Sequence, residues 1–210
     1  MFDSKRILIL APHTDDGELG CGATIAKYIA AGKEVIYIAF STCSQSLPPE
    51  LPSDTLSKEC LAATKALGIQ KTILFDFEVR RLLFHRQEIL EELIKLNKEI
   101  QPQAVFIPAE HDVHQDHQVI YAEGLRAFKN SNVLGYELPW NNFRFQPNYF
   151  ERISEDHLYK KQEALKEYRS QKDRKYMSRE FLRSLAVVRG VQGNSELAEA
   201  FEIYRLMSGS

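Results

Sequence analysis

Apolar residues fall along this chain in two alternating patterns. Residues 7–10, 35–40, 72–75, 104–108 and 133–138 are short, nearly continuous apolar runs, as expected of strands buried on both faces. Between them, apolar positions recur at helical spacing. The stretch 23–31 reads as a helix ending at Gly32, and Asp54 opens another that reaches Leu67, with Gly68 beyond it. Residues 87–100 turn Ile89, Leu90, Leu93, Ile94, Leu96 and Ile100 to one side before Pro102 stops the helix. A helix is expected from the fourth strand to Phe128, and 156–169 and 178–189 have the same character. The segment 199–206 fits a last strand or a helix. The strand–helix–strand opening favours parallel pairing with right-handed crossovers, and the alternation as a whole predicts an α/β fold with a mainly parallel sheet.

Two loops stand out. Residues 41–53 hold three prolines, several serines and no period, as expected of a rim or lid. Residues 139–142 leave the fifth strand and carry Trp140, which can stack on a sugar ring or simply pack. Both loops are expected to border a pocket, because open α/β sheets bind ligands outside the carboxyl ends of their strands.

Composition narrows the field by exclusion. At 210 residues the chain is expected to form one domain, residues 1–210, with a substantial core. A formal charge of -2 gives no electrostatic case for nucleic acid or an anionic membrane. Cys21, Cys43 and Cys60 show no C-x-x-C spacing, which argues against a disulfide framework and an all-cysteine zinc site. The apolar run 7–10 is too short for a signal-peptide core or a membrane span, so a cytoplasmic location is expected.

The chemistry is concentrated in two stretches that directly follow predicted strands. The first holds His13, Thr14, Asp15 and Asp16; the second runs from His111 through Asp112, His114 and Asp116 to His117. Together they offer two His and one Asp to a metal, with a carboxylate and a His to spare, which is the inventory of a metal-assisted hydrolase. His13 and Asp16 share a face if their segment turns helically, and Asp15 then points elsewhere, free to hold a proton. Both aspartates are equally suited to capping the next helix. His114 and His117 repeat the spacing, and Asp116 between them can orient an imidazole. His111 and Asp112 thicken the cluster, whereas His85 and His157 lack such neighbours. Gly20 and Gly22 do not make a dinucleotide fingerprint and are expected to allow close packing between the turn and something bound there. Arg80 and Arg81 follow the third strand, where they can meet an anionic group or stand as a solvated pair.

His13-Thr-Asp-Asp16 with the following Gly17-Glu-Leu-Gly-Cys-Gly22, and His114-Gln-Asp-His117, resemble the PIG-L/LmbE family of zinc-dependent N-deacetylases. Weaker echoes lie at Tyr168-Arg-Ser-Gln171, Arg189-Gly190 and Ala198-Glu-Ala-Phe-Glu202, so the likeness spans nearly the whole chain. The usual first motif has Pro where Thr14 stands and Glu directly after the Asp pair, where Gly17 stands. The resemblance implies a Rossmann-like α/β domain without a dinucleotide. It implies one Zn2+ per chain held by His13, Asp16 and His117, with Asp15 as base. His114 would stabilise the oxyanion or protonate the leaving group. The implied reaction removes the acetyl group from an N-acetylglucosamine-containing sugar or glycoconjugate, a metal-activated water attacking the acetamide.

Alternatives stay open at this level. Another zinc-dependent amide hydrolase, acting as an amidase on a non-sugar substrate, has the same inventory. A non-catalytic sugar- or metal-binding protein needs the ligands but not Asp15. A nucleotide-binding α/β domain lacks its glycine pattern. Fe2+ or another divalent ion suits the same donors. The expected partner is a small-molecule amino sugar, without nucleic acid or a membrane span, and a homo-oligomer is compatible with the sequence.

Overall fold

The structure, a computed structural model, describes residues 4–208. Seven strands form one sheet: β1 (Arg6–Ala11), β2 (Glu34–Ala39), β3 (Lys71–Leu74), β4 (Ala104–Pro108), β5 (Asn132–Tyr136), β6 (Tyr149–Arg152) and β7 (Ala198–Arg205). Their order is β3-β2-β1-β4-β5-β7-β6. The five predicted strands are parallel, and β7 and β6 close one edge in antiparallel fashion. The chain leaves β1 toward β2 and β3, then returns to place β4 on the other side of β1. The strand order thus reverses between β1 and β4, where an open α/β sheet leaves a crevice at its carboxyl edge.

The sheet separates two apolar layers, and alternation along the central strands supplies both. Ile7, Ile9 and Ala11 of β1 join one layer, with residues of α1 (Asp16–Ala30), α2 (Thr55–Leu67) and α5 (Glu155–Leu165). Leu8 and Leu10 join the other, with α3 (Arg86–Ile100) and α4 (Gln115–Ala127). Helix α6 (Arg179–Gln192) adds Leu182 to the first layer. Among the described residues, no helix is long and apolar enough to cross a membrane.

Several sequence expectations change. Helix α1 starts at Asp16, not at residue 23, because Gly17 and Gly20 let it press on the sheet. A Cβ on Gly17 would lie 2.5 Å from the Tyr37 ring, and one on Gly20 would lie 2.3 Å from Tyr136. The close partner of Gly20 is therefore a side chain of the protein, not a bound molecule. Gly22 likewise faces Lys161. The helix breaks at Cys21 (φ -144°, ψ 24°). Lys161 and Glu199, both buried, stitch the break: Lys161 Nζ donates to the Leu19 carbonyl at 2.7 Å, and Glu199 accepts the Ala23 and Thr24 amides at 3.2 and 2.7 Å. Glu199 thus caps the second half of α1 from a distant strand, as an N-terminal carboxylate does locally.

The ambiguous segment is strand β7, and β6 is a strand the pattern missed. β6 has only four residues and finds its register on β7. The helix expected over 156–169 ends at Leu165, and short 3-10 turns at Arg169–Gln171 and Lys175–Met177 carry the chain back toward the crevice.

Candidate metal centre and its pocket

The carboxyl ends of β1 and β4 deliver both imidazole–carboxylate stretches to the crevice. The segment after β1 does not turn helically. It is a bend closed by the His13 amide, which donates to Asp16 Oδ2 at 2.8 Å. Asp15 occupies the N-cap position of α1, yet its side chain makes no capping hydrogen bond. His114 caps α4 instead, its Nδ1 accepting the Asp116 amide at 3.2 Å. His117 lies one turn inside α4 and is buried.

These elements bring three donor atoms together. His13 Nδ1 and His117 Nε2 lie 3.0 and 3.2 Å from Asp16 Oδ2, and 3.2 Å from each other. The far ring nitrogens are held by carboxylates of the second stretch: His13 Nε2 by Asp116 Oδ2 at 3.0 Å, across the crevice, and His117 Nδ1 by Asp112 Oδ2 at 2.7 Å, within the stretch. In a neutral imidazole each carboxylate would draw the proton to the far nitrogen and leave the near one as a lone pair. Two lone pairs and a carboxylate oxygen then face a common point, an arrangement that repels itself unless it shares a cation. Bond lengths of about 2.0–2.1 Å in a tetrahedral zinc site put ligand atoms about 3.3 Å apart, so the observed triangle fits a small divalent ion. The imidazoles of His13, His114 and His117 also bring donor atoms within 4.8 Å of one another, a looser set.

Electrostatics report the same demand for positive charge. Burial opposes charge on His117, but Asp16 and Asp112 overcome it and push its pKa up to about 10. His13 is raised too, Asp16 and Asp116 outweighing its burial. Burial alone would raise Asp16, but His117 and His13 hold its carboxyl well below the usual carboxylate range. Asp15 behaves oppositely. Burial, then the charge of Asp16, raises it to about 6, with Arg174 and His13 offsetting part of the rise. His114 is pushed down to about 4, first by burial and then by its imidazole neighbours.

The donors open into a cavity of about 280 Å³, the size of a small-molecule site. Both expected loops line it, 41–53 through Cys43 and Ser46, and 139–142 through Trp140 and Asn141. Arg80 also lines it, whereas Arg81 turns to Glu78. Arg80 has φ 66°, which aims its amide at Asp116 Oδ2, 2.6 Å away. His111 is exposed and stands outside the cluster it was expected to thicken. Gln171, the end of one weaker family echo, reaches the cavity from the turns after α5 together with Arg174 and Tyr176, which sequence reasoning missed; Tyr176 stacks on Trp140 at 3.9 Å and 13°. Glu18, whose role the motif left open, lies buried beneath the bend. The Tyr168 hydroxyl donates to the Thr14 carbonyl at 2.6 Å and stands 2.9 Å from Glu18 Oε1, and Tyr37 contacts both groups from the other side. Burial raises the Glu18 pKa to about 8.

This fold and donor set define a class of metal-site α/β hydrolases, and comparison with known proteins identifies the family. The PIG-L family, GlcNAc-PI de-N-acetylase, matches residues 8–128, and the chain belongs to it. The uncharacterized deacetylase YaiS of Escherichia coli (strain K12) is 30% identical over 79% of this chain and 91% of its own. The solved N,N'-diacetylchitobiose deacetylase of Pyrococcus horikoshii is 25% identical, with a TM-score of 0.82 over 96% of this chain and 84% of that one. The 4-carboxy-2-hydroxymuconate hydratase GalB of Pseudomonas putida KT2440 shares the fold as well, with a TM-score of 0.78 over 98% of both chains at 19% identity. The fold by itself therefore does not select the reaction.

Proposed function

We propose that this chain is a metal-dependent N-deacetylase that hydrolyses the acetamide of an N-acetylated amino sugar or its glycoconjugate, giving acetate and the free amine. The observation that carries the reading is the convergence of His13 Nδ1, Asp16 Oδ2 and His117 Nε2 beside Asp15, a carboxylate without a capping role. Family membership and the likeness to a diacetylchitobiose deacetylase support the acetyl and sugar sides. The three donors are assigned one Zn2+, and Fe2+ suits them as well. When bound, the ion supplies Lewis acidity toward the amide carbonyl and lowers the pKa of water from about 15.7 toward about 7.

The chain's own groups do the rest. Asp15 takes the proton of the attacking water; a carboxyl near pKa 6 is ionised at neutral pH yet basic enough to accept it. His114 accepts the Asp116 amide at Nδ1, which keeps its ring proton on Nε2. With its pKa near 4 it is a neutral donor, suited to the developing oxyanion. Asp112 and Asp116 fix the tautomers of His117 and His13. The proton held by Asp15 then passes to the departing nitrogen.

The whole chain is taken to act as one domain over residues 1–210, in the cytoplasm, where Cys21, Cys43 and Cys60 remain free thiols. The direct test incubates the zinc-loaded protein with a panel of N-acetyl sugars and N-acyl amides and reads acetate. Release from N-acetyl sugars is expected. Release only from non-sugar amides, or from none, would overturn the reading.

A further inference from the structure

Asp15 differs from the metal donors in how it is held. His13 and His117 are gripped through their rings by Asp116 and Asp112, and Asp16 accepts the His13 amide. The Asp15 side chain makes no capping hydrogen bond. Its direction is therefore set by the two peptides that flank it. The following peptide is fixed by α1, whose Leu19 amide donates to the Asp15 carbonyl at 3.0 Å. The preceding peptide, between Thr14 and Asp15, lies in the bend outside any helix or strand, so side chains must satisfy its buried carbonyl.

Two phenols do so from separate elements. Tyr37 projects from β2 and donates to the Thr14 carbonyl at 2.9 Å; its oxygen also accepts the Gly17 amide at 3.1 Å. One hydroxyl thus touches the chain on both sides of Asp15. Tyr168 comes from the turn after α5 and donates to the same carbonyl at 2.6 Å. Both rings are buried. Burial, then the charge of Glu18, pushes both hydroxyls well above the usual phenol range, so they stay protonated donors. Glu18 contacts both hydroxyls and keeps them together. The Tyr168 end is pinned in turn by α2, where Glu59 accepts the Ser170 amide at 2.9 Å and the Ser170 hydroxyl at 2.6 Å. A carbonyl oxygen has two lone pairs, and each phenol can take one. The peptide cannot then turn without unmaking two buried hydrogen bonds, which is costly.

We propose that Tyr37 and Tyr168 are positioning residues for the hydrolysis: by clamping the Thr14 carbonyl from below, they aim the Asp15 carboxylate into the pocket. The inference rests on the deacetylase reading above, with Asp15 as the base. The clamp acts on the base and not on the three metal donors, which have braces of their own. It also ties the rate to the turn after α5, far from the donors in sequence. Misplacing a reacting group by about 1 Å can cost about 10²-fold in rate, so a grip on one peptide matters.

Tyr37→Phe and Tyr168→Phe each remove one oxygen and keep the ring. Because the two residues sit on separate elements, either variant alone carries the test. The zinc-loaded proteins are compared in three ways: zinc affinity by chelator competition, kcat and KM for acetate release from N-acetylglucosamine and its methyl glycoside, and crystal structures that locate the Asp15 carboxylate. Kinetics are read well below each melting point. Each variant is expected to lose roughly 10- to 100-fold in kcat, with KM and zinc affinity held and Asp15 displaced. A purely structural role would lower the melting point and leave kcat of the folded enzyme unchanged, which would overturn the clamp. So would a kcat that falls only as far as bound zinc falls, or an Asp15 that stays in place in both variants. If the wild type released acetate from neither sugar while Asp15 moved in the variants, the deacetylase reading would fail and the clamp would stand.

Discussion

The floor of the pocket and its rim are built on different terms. The floor comes from two short segments after neighbouring strands, β1 and β4, and the second braces both imidazoles, Asp116 holding His13 across the crevice and Asp112 holding His117. Its residues are buried or half-buried, and their positions follow from the sheet. The rim comes from segments scattered in sequence (43–46, 79–80, 140–141 and 171–176), held by stacking, one strained backbone and long side chains. On the deacetylase reading the difference is a division of labour: the sheet-set floor would carry the reaction, and the loop-built rim would meet the substrate. Related proteins can then share a floor and differ at the rim.

The largest expected effect breaks the floor without moving it. Asp15→Asn should retain the metal and the fold yet lose roughly 10²–10⁴-fold in kcat, as expected for loss of a general base. Metal analysis alongside steady-state kinetics checks it, and near-normal turnover would remove Asp15 from the mechanism. The same residue sets a pH limb. A base must be deprotonated to act, so kcat/KM should rise with pH through a value at or below about 6, a bound cation drawing it lower. Activity that is flat down to pH 4 would contradict this.

Next come the carboxylates behind the imidazoles. Asp116→Ala or Asp112→Ala should weaken metal binding by about 10–100-fold, measured by competition with a chelator. Asp116→Ala should also loosen the rim, because Asp116 accepts the Arg80 amide. Unchanged metal affinity would mean that the carboxylate bracing is incidental. Tyr168→Phe strips a hydroxyl from the buried Thr14 carbonyl and Glu18, and should lower stability by about 1–3 kcal/mol. Denaturant melts check that figure. The smallest effect belongs to the rim: Trp140→Ala should change KM severalfold while kcat and metal content hold, because it removes the partner of Tyr176 and touches none of the donor atoms.

The same division decides what could be read from the sequence. The five parallel strands were legible because each is apolar on both faces, and His13, Asp15, Asp16, His114 and His117 were legible because they crowd directly after two of those strands. The crosswise pairing was not: Asp116 lies beside His114 and His117 in sequence, yet it holds His13 across the crevice. Helix α1 was placed too late because its first turn is rich in glycine and acid, and only packing against Tyr37 and Tyr136 explains that composition. Arg174 and Tyr176 gave no signal, since one arginine and one tyrosine in a polar stretch have no period to betray them. Strand β6 is too short to show alternation and needs β7 as its template.

The break in α1 has a consequence for how the protein comes into being. Chains emerge from the ribosome N-terminus first. The bend with His13 and Asp16, and β1 beneath it, are made early, and α4 with His117 follows at mid-chain. Yet the helix that carries Asp16 stays unsealed at Cys21 until Lys161 and then Glu199 arrive to take up the Leu19 carbonyl and the Ala23 and Thr24 amides. The donor residues therefore exist for most of synthesis on an unfinished support, and the centre matures only when a strand near the end of the chain docks. A nascent chain halted before residue 199 would carry every proposed ligand and still hold metal poorly.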